Sequence, residues 1–196
     1  MDAQQRAEPT GRADDVRADD VVVRQVRPED WAKLRDLRLE MLADTPLAYL
    51  ETLADARTKP EADWRQRARR GAGLMPGHPT ATFVAEGSGG CWLGQMAGYV
   101  DAPGSAMLVA VYVAPSVRGR AAGVADALLD AVVAWARQHA GTLRLLVHED
   151  NARARAFYLR RGFTETGRTE PYELDPSARE IEMALLLPDP GGEQVQ

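Results

Sequence analysis

Cysteine and histidine are scarce in this sequence of 196 residues. Cys91 is the single cysteine, so an intrachain disulfide is excluded. The three histidines, His78, His139 and His148, lie far apart and lack the ligand spacing of a zinc site. We therefore expect no bound metal, and a chain without disulfides fits a reducing cytoplasm.

Long apolar runs and an excess of positive charge are also missing. No apolar stretch reaches the ~20 residues of a membrane-spanning helix, and the N-terminus lacks the apolar core of a secretory signal. The net charge is -5, from 24 basic and 29 acidic side chains, whereas nucleic-acid-binding proteins usually carry a basic excess. We therefore expect a cytoplasmic protein that binds neither a membrane nor nucleic acid.

The composition predicts one folded domain with short terminal extensions. Residues 1–20 contain no aromatic residue and one branched aliphatic, Val16, so they cannot bury much apolar surface and are predicted to be a disordered leader. Residues 21–188 are long enough to bury a core and are predicted to form a single domain. Residues 189–196 are predicted to be a flexible tail.

The order of the periodic segments predicts a mixed α/β sheet. Strands are predicted at 21–26, 80–86, 91–102, 106–114, 142–149, 163–174 and 179–187. Helices are predicted at about 29–43, from Pro46, from Pro60, at about 120–139 and at 150–162. The strand at 106–114 is almost wholly apolar, so we expect it near the centre of the sheet.

The join between that strand and the next helix has the features of an anion site. It reads "RGRAAG", from Arg118 to Gly123, and small side chains there would let an anion approach the unpaired N–H groups of the helix start. A mononucleotide P-loop, G-x-x-x-x-G-K-[ST], and a dinucleotide fingerprint, G-x-G-x-x-G, are both absent. An ordinary strand-to-helix turn with surface arginines is the alternative interpretation.

A second segment, "HEDNARARAFYLRRGF" from His148 to Phe163, helps to choose between these interpretations of the join. The two segments together resemble the GNAT superfamily of acyl-CoA N-acyltransferases, in which an R-x-x-G-x-G/A loop precedes a helix opened by Asn with an A-x-x-[FY]-Y-x-x-x-G-F pattern. Ala121 departs from the loop pattern, since the family usually has a glycine there. The resemblance covers roughly residues 21–187 and is strongest from 106 to 163.

The resemblance implies a central, mostly antiparallel sheet of six to seven strands flanked by helices, with a splayed strand pair that admits acyl-CoA. It also implies an acetyltransferase in which acetyl-CoA is the co-substrate and the central strand carries a bulge. The implied cofactor-binding residues are Val111, Tyr112, Val113, Arg118, Gly119, Arg120, Ala121, Ala122, Gly123, Val124, Ala125, Asn151, Ala154 and Phe157.

Two catalytic roles follow from the resemblance. Tyr158 matches the position of a hydroxyl that protonates the leaving thiolate; the alternative is that its side chain only packs in the core. For the neighbouring Phe157, we favour core packing. The family often supplies a glutamate from the central strand as the base, but residues 106–113 contain no carboxylate. We therefore predict Glu51 as the base, with Asp101 or a water chain to a backbone carbonyl as alternatives. For both acids, a solvated surface position without a catalytic role is the alternative interpretation.

The acceptor predicted from the resemblance is the primary amine of a small molecule. The alternatives are a protein N-terminal or lysine acetyltransferase, and a non-catalytic acyl-CoA-binding module, against which the presence of Tyr158 counts. A monomer or a homodimer is expected.

Overall fold

A computed structural model describes residues 21–119 and 123–188, so the predicted leader, the predicted tail and Arg120, Ala121 and Ala122 lie outside the described residues. The strands are β1 (Val22–Gln25), β2 (Thr80–Glu86), β3 (Trp92–Ala102), β4 (Gly104–Val113), β5 (Ala140–His148), β6 (Thr164–Tyr172) and β7 (Asp175–Leu186). The helices are α1 (Trp31–Asp44), α2 (Leu53–Thr58), α3 (Glu61–Gly71), α4 (Val124–Ala136) and α5 (Ala152–Arg160).

The seven strands form one sheet in the order β1-β2-β3-β4-β5-β7-β6. Neighbouring strands are antiparallel except for β4 and β5, which are parallel and joined by the α4 crossover. This confirms the predicted mixed, mostly antiparallel sheet of six to seven strands. The apolar strand β4 is the fourth of seven, so it is central, as its composition predicted.

Helix α4 covers one face of the sheet because its apolar residues recur at helical spacing. Val124, Leu128 and Val132 are buried along one stripe of the helix. The indole of Trp135 lies against β3, where Gly98 leaves room for the ring. The start of α4, which follows the join at 118–123, is thereby held against the sheet.

Helices α1 and α3 pack on the opposite face. In β3, Gly98 faces α4, whereas the neighbouring Ala97 and Tyr99 face a cavity that α1 and α3 help to line. Gly71 at the end of α3 lies directly against Thr82 of β2. The sheet therefore separates two layers of helices.

One strand boundary differs clearly from the prediction. Strand β7 begins at Asp175, four residues before the predicted start, and pairs there with Tyr172 at the end of β6. Most of β6 is exposed, so this outer ribbon has no buried face to create an alternating apolar pattern. Within the described residues, no helix has the length and apolar character to cross a bilayer.

The close packing of α4 on β3 predicts the effect of one added methyl group. In Gly98→Ala, the new Cβ would lie 2.6 Å from a ring carbon of Trp135, so we expect the free energy of unfolding to fall by about 1–3 kcal/mol. Urea denaturation measures this change. Gly141→Ala in β5 is the control, because the Cβ added there would lie 3.9 Å from its nearest neighbour, the carbonyl oxygen of Gly104. Equal stability of the two variants would contradict this packing.

Candidate active site

Strand β4 contains one residue more than β3 between two aligned positions. Gln95 pairs with Tyr112 and Ala97 pairs with Val109, so Ala110 and Val111 stand opposite Met96 alone. Ala110 has a φ of +52°, and it is the one non-glycine residue with positive φ among those described. This geometry is a β-bulge, which confirms that the central strand is irregular.

Beyond its first four residues, β4 separates from β5. The parallel pairs run only from Gly104–Ala140 to Met107–Arg144, whereas β5 stays paired with β7 as far as His148. The edge of β4 that faces β5 is therefore unpaired from residue 108 to residue 113. This is the splayed strand pair that the resemblance implied. Val111, Tyr112 and Val113, which the resemblance implied as binding residues, lie on this unpaired edge, and the bulge itself is at Ala110 and Val111.

A cavity of about 580 Å³, here called the wedge cavity, opens at this separation. Ten of the predicted site residues line it: Val111, Tyr112, Val113, Arg118, Gly119, Ala125, Asn151, Ala154, Phe157 and Tyr158. Gly123 and Val124 do not line it, and the Val124 side chain is buried in the core. Residues distant in sequence therefore converge on one site.

The join between β4 and α4 depends on two glycines. Gly119 has a φ of +126° and Gly123, the residue that caps α4, has a φ of +62°, a region that side chains other than glycine rarely adopt. After Gly123, the first N–H groups of α4 have no acceptor within the helix. Arg118 is fixed rather than free, since its Nε donates to the carbonyl oxygen of Val113 at 2.8 Å and it forms an ion pair with Asp44.

Helix α5 forms the other wall of the wedge cavity. The side-chain oxygen of Asn151 accepts from the N–H of Ala154 at 3.1 Å, so Asn151 caps this helix. Phe157 and Tyr158 contact each other edge to face, and the Tyr158 ring also packs near Phe163. Tyr158 is 5% exposed, and burial raises its pKa well above the usual value for tyrosine, so the hydroxyl keeps its proton at neutral pH.

Tyr49 was missed by the sequence analysis, although it contacts the bulge directly. Its hydroxyl donates to the carbonyl oxygen of Val111 at 2.8 Å, and burial raises its pKa to about 12. The Arg38 guanidinium lies 4.6 Å from the centre of the Tyr49 ring. No local motif marks Tyr49, because its role depends on a strand more than sixty positions away.

A second cavity, of about 650 Å³, lies on the α3 side of the bulge. We call it the arginine-lined cavity, because Arg38, Arg67 and Arg70 form part of its wall together with His78 and Gln95. Val109 and Ala110 line this cavity, whereas Val111 lines the wedge cavity. The two cavities therefore flank the same irregular segment of β4.

The predicted base, Glu51, is surrounded by cations. Its carboxylate accepts from Arg38 Nε at 2.8 Å, lies 2.8 Å from Lys59 Nζ, and also contacts Arg67. Burial alone would raise the pKa of Glu51, but the hydrogen bonds from Lys59 and Arg38 and the charge of Arg67 outweigh it and lower the pKa to about 2. A carboxylate with so low a pKa is a weak base, so this environment argues for a structural role.

The alternative base, Asp101, is also engaged, in an ion pair with Arg144. Neither Asp101 nor Glu51 lines either cavity. Among the described residues, no three His, Cys, Asp or Glu side chains lie together as metal ligands would.

Comparisons with known proteins agree with this geometry. The model of the acetyltransferase (GNAT) family matches residues 35–163. A nourseothricin acetyltransferase is 30% identical over 56% of this chain and 66% of its own, with a TM-score of 0.51. A ribosomal-protein-alanine N-acetyltransferase from Brucella melitensis is 24% identical over 85% of this chain and 99% of its own, with a TM-score of 0.65.

A PaiA N-acetyltransferase from Thermoplasma acidophilum, solved in complex with coenzyme A, is 18% identical over 85% of this chain and 98% of its own, with a TM-score of 0.65. At this identity, and at that of the Brucella protein, the likeness concerns the fold alone. No curated protein matches the sequence.

The ion pairs of Glu51 predict a pH-dependent contribution to stability. In Glu51→Gln, three cations lose a shared carboxylate, so we expect the free energy of unfolding at pH 7 to fall by about 1–3 kcal/mol. Because the folded-state pKa of about 2 is below the ordinary 4.5, the wild-type advantage is complete above pH 4.5 and shrinks as the pH falls toward 2. Urea denaturation at stepped pH measures the difference.

Glu61→Gln is the matched control for Glu51→Gln. Glu61 pairs with Arg65 on the surface of α3 and its side chain is 56% exposed, so we expect little change in stability at any pH. A Glu51→Gln deficit that stays constant down to pH 2 would contradict the lowered pKa.

Proposed function

Because the chain belongs to the acetyltransferase (GNAT) family, it is an enzyme of acetyl transfer, and we propose that it acetylates the primary amine of a small molecule with acetyl-CoA. The observation that carries this proposal is the meeting of two cavities at the β4 bulge, one on either side of Ala110 and Val111. In the proposed reaction, a C–N bond forms as the thioester C–S bond breaks; the amine loses one proton and the thiolate gains one.

The wedge cavity is proposed to hold acetyl-CoA, which supplies the thioester carbonyl when bound. The unpaired edge of β4 offers main-chain groups to the two amides of a pantetheine arm. The start of α4 offers N–H groups and a positive dipole end to a pyrophosphate. Both features fit an elongated ligand that carries amides in the middle and phosphates at one end.

The bulge is proposed to stabilise the oxygen that gains negative charge. Ala110 and Val111 are matched to no residue of β3 or β5, so the main chain there is not committed to the sheet. Fixed N–H donors stabilise such a charge most when they need no reorganisation. The Tyr49 hydroxyl holds the Val111 carbonyl, which supports a fixed orientation of the adjoining peptide groups.

Tyr158 is proposed to donate the proton that the departing thiolate needs. Its hydroxyl stays protonated at neutral pH because it is buried. The same burial also raises the proton affinity of a thiolate beside it, which offsets the weaker acidity of the phenol.

The attacking amine must also lose a proton, and within residues 21–119 and 123–188 no carboxylate lines the arginine-lined cavity. We therefore propose that water carries the proton away, which was the third alternative for the base. The imidazole of His78 lies in the wall of the same cavity. This histidine was not among the catalytic candidates predicted from the sequence.

The size of the arginine-lined cavity favours a small acceptor over a protein. A volume of about 650 Å³ is within the range of sites for small ligands, roughly 300–1,000 Å³. A thiol-release assay with amino acids, polyamines, aminoglycosides and peptides tests this choice. Turnover confined to peptides with a free N-terminus or lysine would favour a protein acetyltransferase instead.

The proposed coenzyme site predicts that Gly123→Val abolishes CoA binding. A β-branched residue at a φ of +62° forces the start of α4 to move, and the N–H groups move with it. Isothermal titration calorimetry with CoA measures the loss. Gly89→Val, at a φ of +76° in the β2–β3 turn with no atom within 4 Å of an added Cβ, imposes similar strain elsewhere and should bind CoA normally. Unchanged binding in Gly123→Val would refute this site.

The proposed acid predicts that Tyr158→Phe lowers kcat by about 10²–10⁴-fold with nearly the same KM for acetyl-CoA. The ring and its packing remain, so the Tm should change little. Steady-state thiol release and thermal unfolding provide the two measurements. A loss of only about two- or three-fold would mean that water protonates the thiolate. A large fall in Tm would mean that the hydroxyl has a structural role.

A further inference from the structure

The arginine-lined cavity is strongly cationic in an otherwise acidic chain. Arg38, Arg67 and Arg70 line it, and no aspartate or glutamate of the part of the chain that the structure describes does so. The whole chain has a net charge of -5, so composition does not explain this local excess. A cavity lined in this way repels cationic acceptors and attracts anionic groups.

The protein neutralises these cations only in part. Among the described residues, Glu51 is the one carboxylate that contacts Arg38 and Arg67, and it also pairs with Lys59. Arg70 forms no ion pair with any residue in the described ranges 21–119 and 123–188. Positive charge therefore remains, and Arg70 has an uncommitted guanidinium, a group suited to bind carboxylate or phosphate oxygens.

Gln95, in the wall of the same cavity, adds an independent observation beside the bulge. The residue is 4% exposed, and its Nε2 donates to the carbonyl oxygen of Ala110 at 3.4 Å. Its Oε1 is buried and has no hydrogen-bond partner among the residues that the structure describes. A buried acceptor without a donor is unfavourable, so this oxygen is placed to receive an N–H from a bound molecule beside the bulge.

We propose that the acceptor is an acidic amine, a small molecule that carries a carboxylate or a phosphate besides its amino group. Its nitrogen donates to Gln95 Oε1 next to the bulge, and its anion binds Arg70, with Arg38 and Arg67 adding positive charge. This assignment rests on the proposed acetyl transfer and specifies its substrate class. It excludes polyamines and aminoglycosides as preferred acceptors.

A series of amines of graded length tests the assignment. Thiol release is measured with the ω-amino carboxylates from glycine to 6-aminohexanoate, each beside its carboxamide, and with phosphoethanolamine beside ethanolamine. Spermidine is the cationic comparison. We expect each accepted acid to exceed its neutral partner by about 10-fold or more in kcat/KM, as a charge-assisted contact gives. The length of the ω-amino carboxylate with the highest kcat/KM indicates the distance from Gln95 to the anion site. Comparison of phosphoethanolamine with the carboxylates identifies the preferred anion.

Single substitutions test which residues cause the preference for acidic acceptors. Arg70→Gln should lower kcat/KM for the best acid by about 10-fold or more and change its amide by less than about three-fold. Arg69→Gln is the matched control, because Arg69 is exposed on the same helix and does not line the cavity. Gln95→Leu should lower kcat/KM for acid and amide alike, because it removes the proposed acceptor of the amine N–H; its Tm reports whether the bulge survives loss of the Nε2 contact with Ala110.

Calorimetric binding of the same acid and amide pairs to the CoA-bound enzyme separates the two proposals. Acid preference in binding without thiol release would overturn the proposed acetyl transfer to these amines and keep the assignment of the anion site. Turnover in which amides or spermidine match the acids, or in which Arg70→Gln weakens acid and amide equally, would overturn the acidic acceptor and keep acetyl transfer. Binding without any acid preference would likewise overturn the acidic acceptor.

Discussion

The extra residue in β4 is the constraint on which the rest of the site depends. It turns the strand at Ala110 and Val111, beyond the point where β4 has already parted from β5. A positive φ at alanine is unfavourable, so the surrounding contacts must hold it in place. Tyr49 binds one carbonyl of the bulge and Gln95 binds the other. The bulge therefore lies within the stretch of β4 that borders the wedge between β4 and β5, and its main chain contributes to both cavities.

The two sides of the bulge differ in chemical character. The wedge cavity combines main-chain groups, small residues at the start of α4 and the aromatic side chains of α5. The arginine-lined cavity combines three guanidinium groups with a buried amide. Glu51 links the arginines to Lys59, so one carboxylate orders the cations of that wall although it does not line the cavity. This division fits an enzyme that brings two unlike substrates to one strand from opposite sides.

Local patterns predicted most elements of the fold and one side of the site. The order of the strands and helices follows from apolar periodicity and from glycine and proline signals, whereas the mostly antiparallel pairing was implied by the family resemblance. The Asn151 cap and Tyr158 lie within a single helix, so their positions relative to each other are set by helical spacing. The outer part of β7 was not predicted, because an exposed ribbon carries no alternating pattern.

The sequence by itself determined the order of elements, the glycine-rich join and the motif of α5, because each depends on neighbours within about one or two helical turns. Only the tertiary structure decided which residues surround the bulge. Tyr49, Gln95 and Arg38 come from three separate segments and meet through contacts between layers. The engagement of Glu51 also depends on α1 and α3 packing side by side. Contacts between residues that are far apart in sequence produce no periodic pattern, because they depend on the tertiary arrangement of the elements and not on neighbouring residues in the chain.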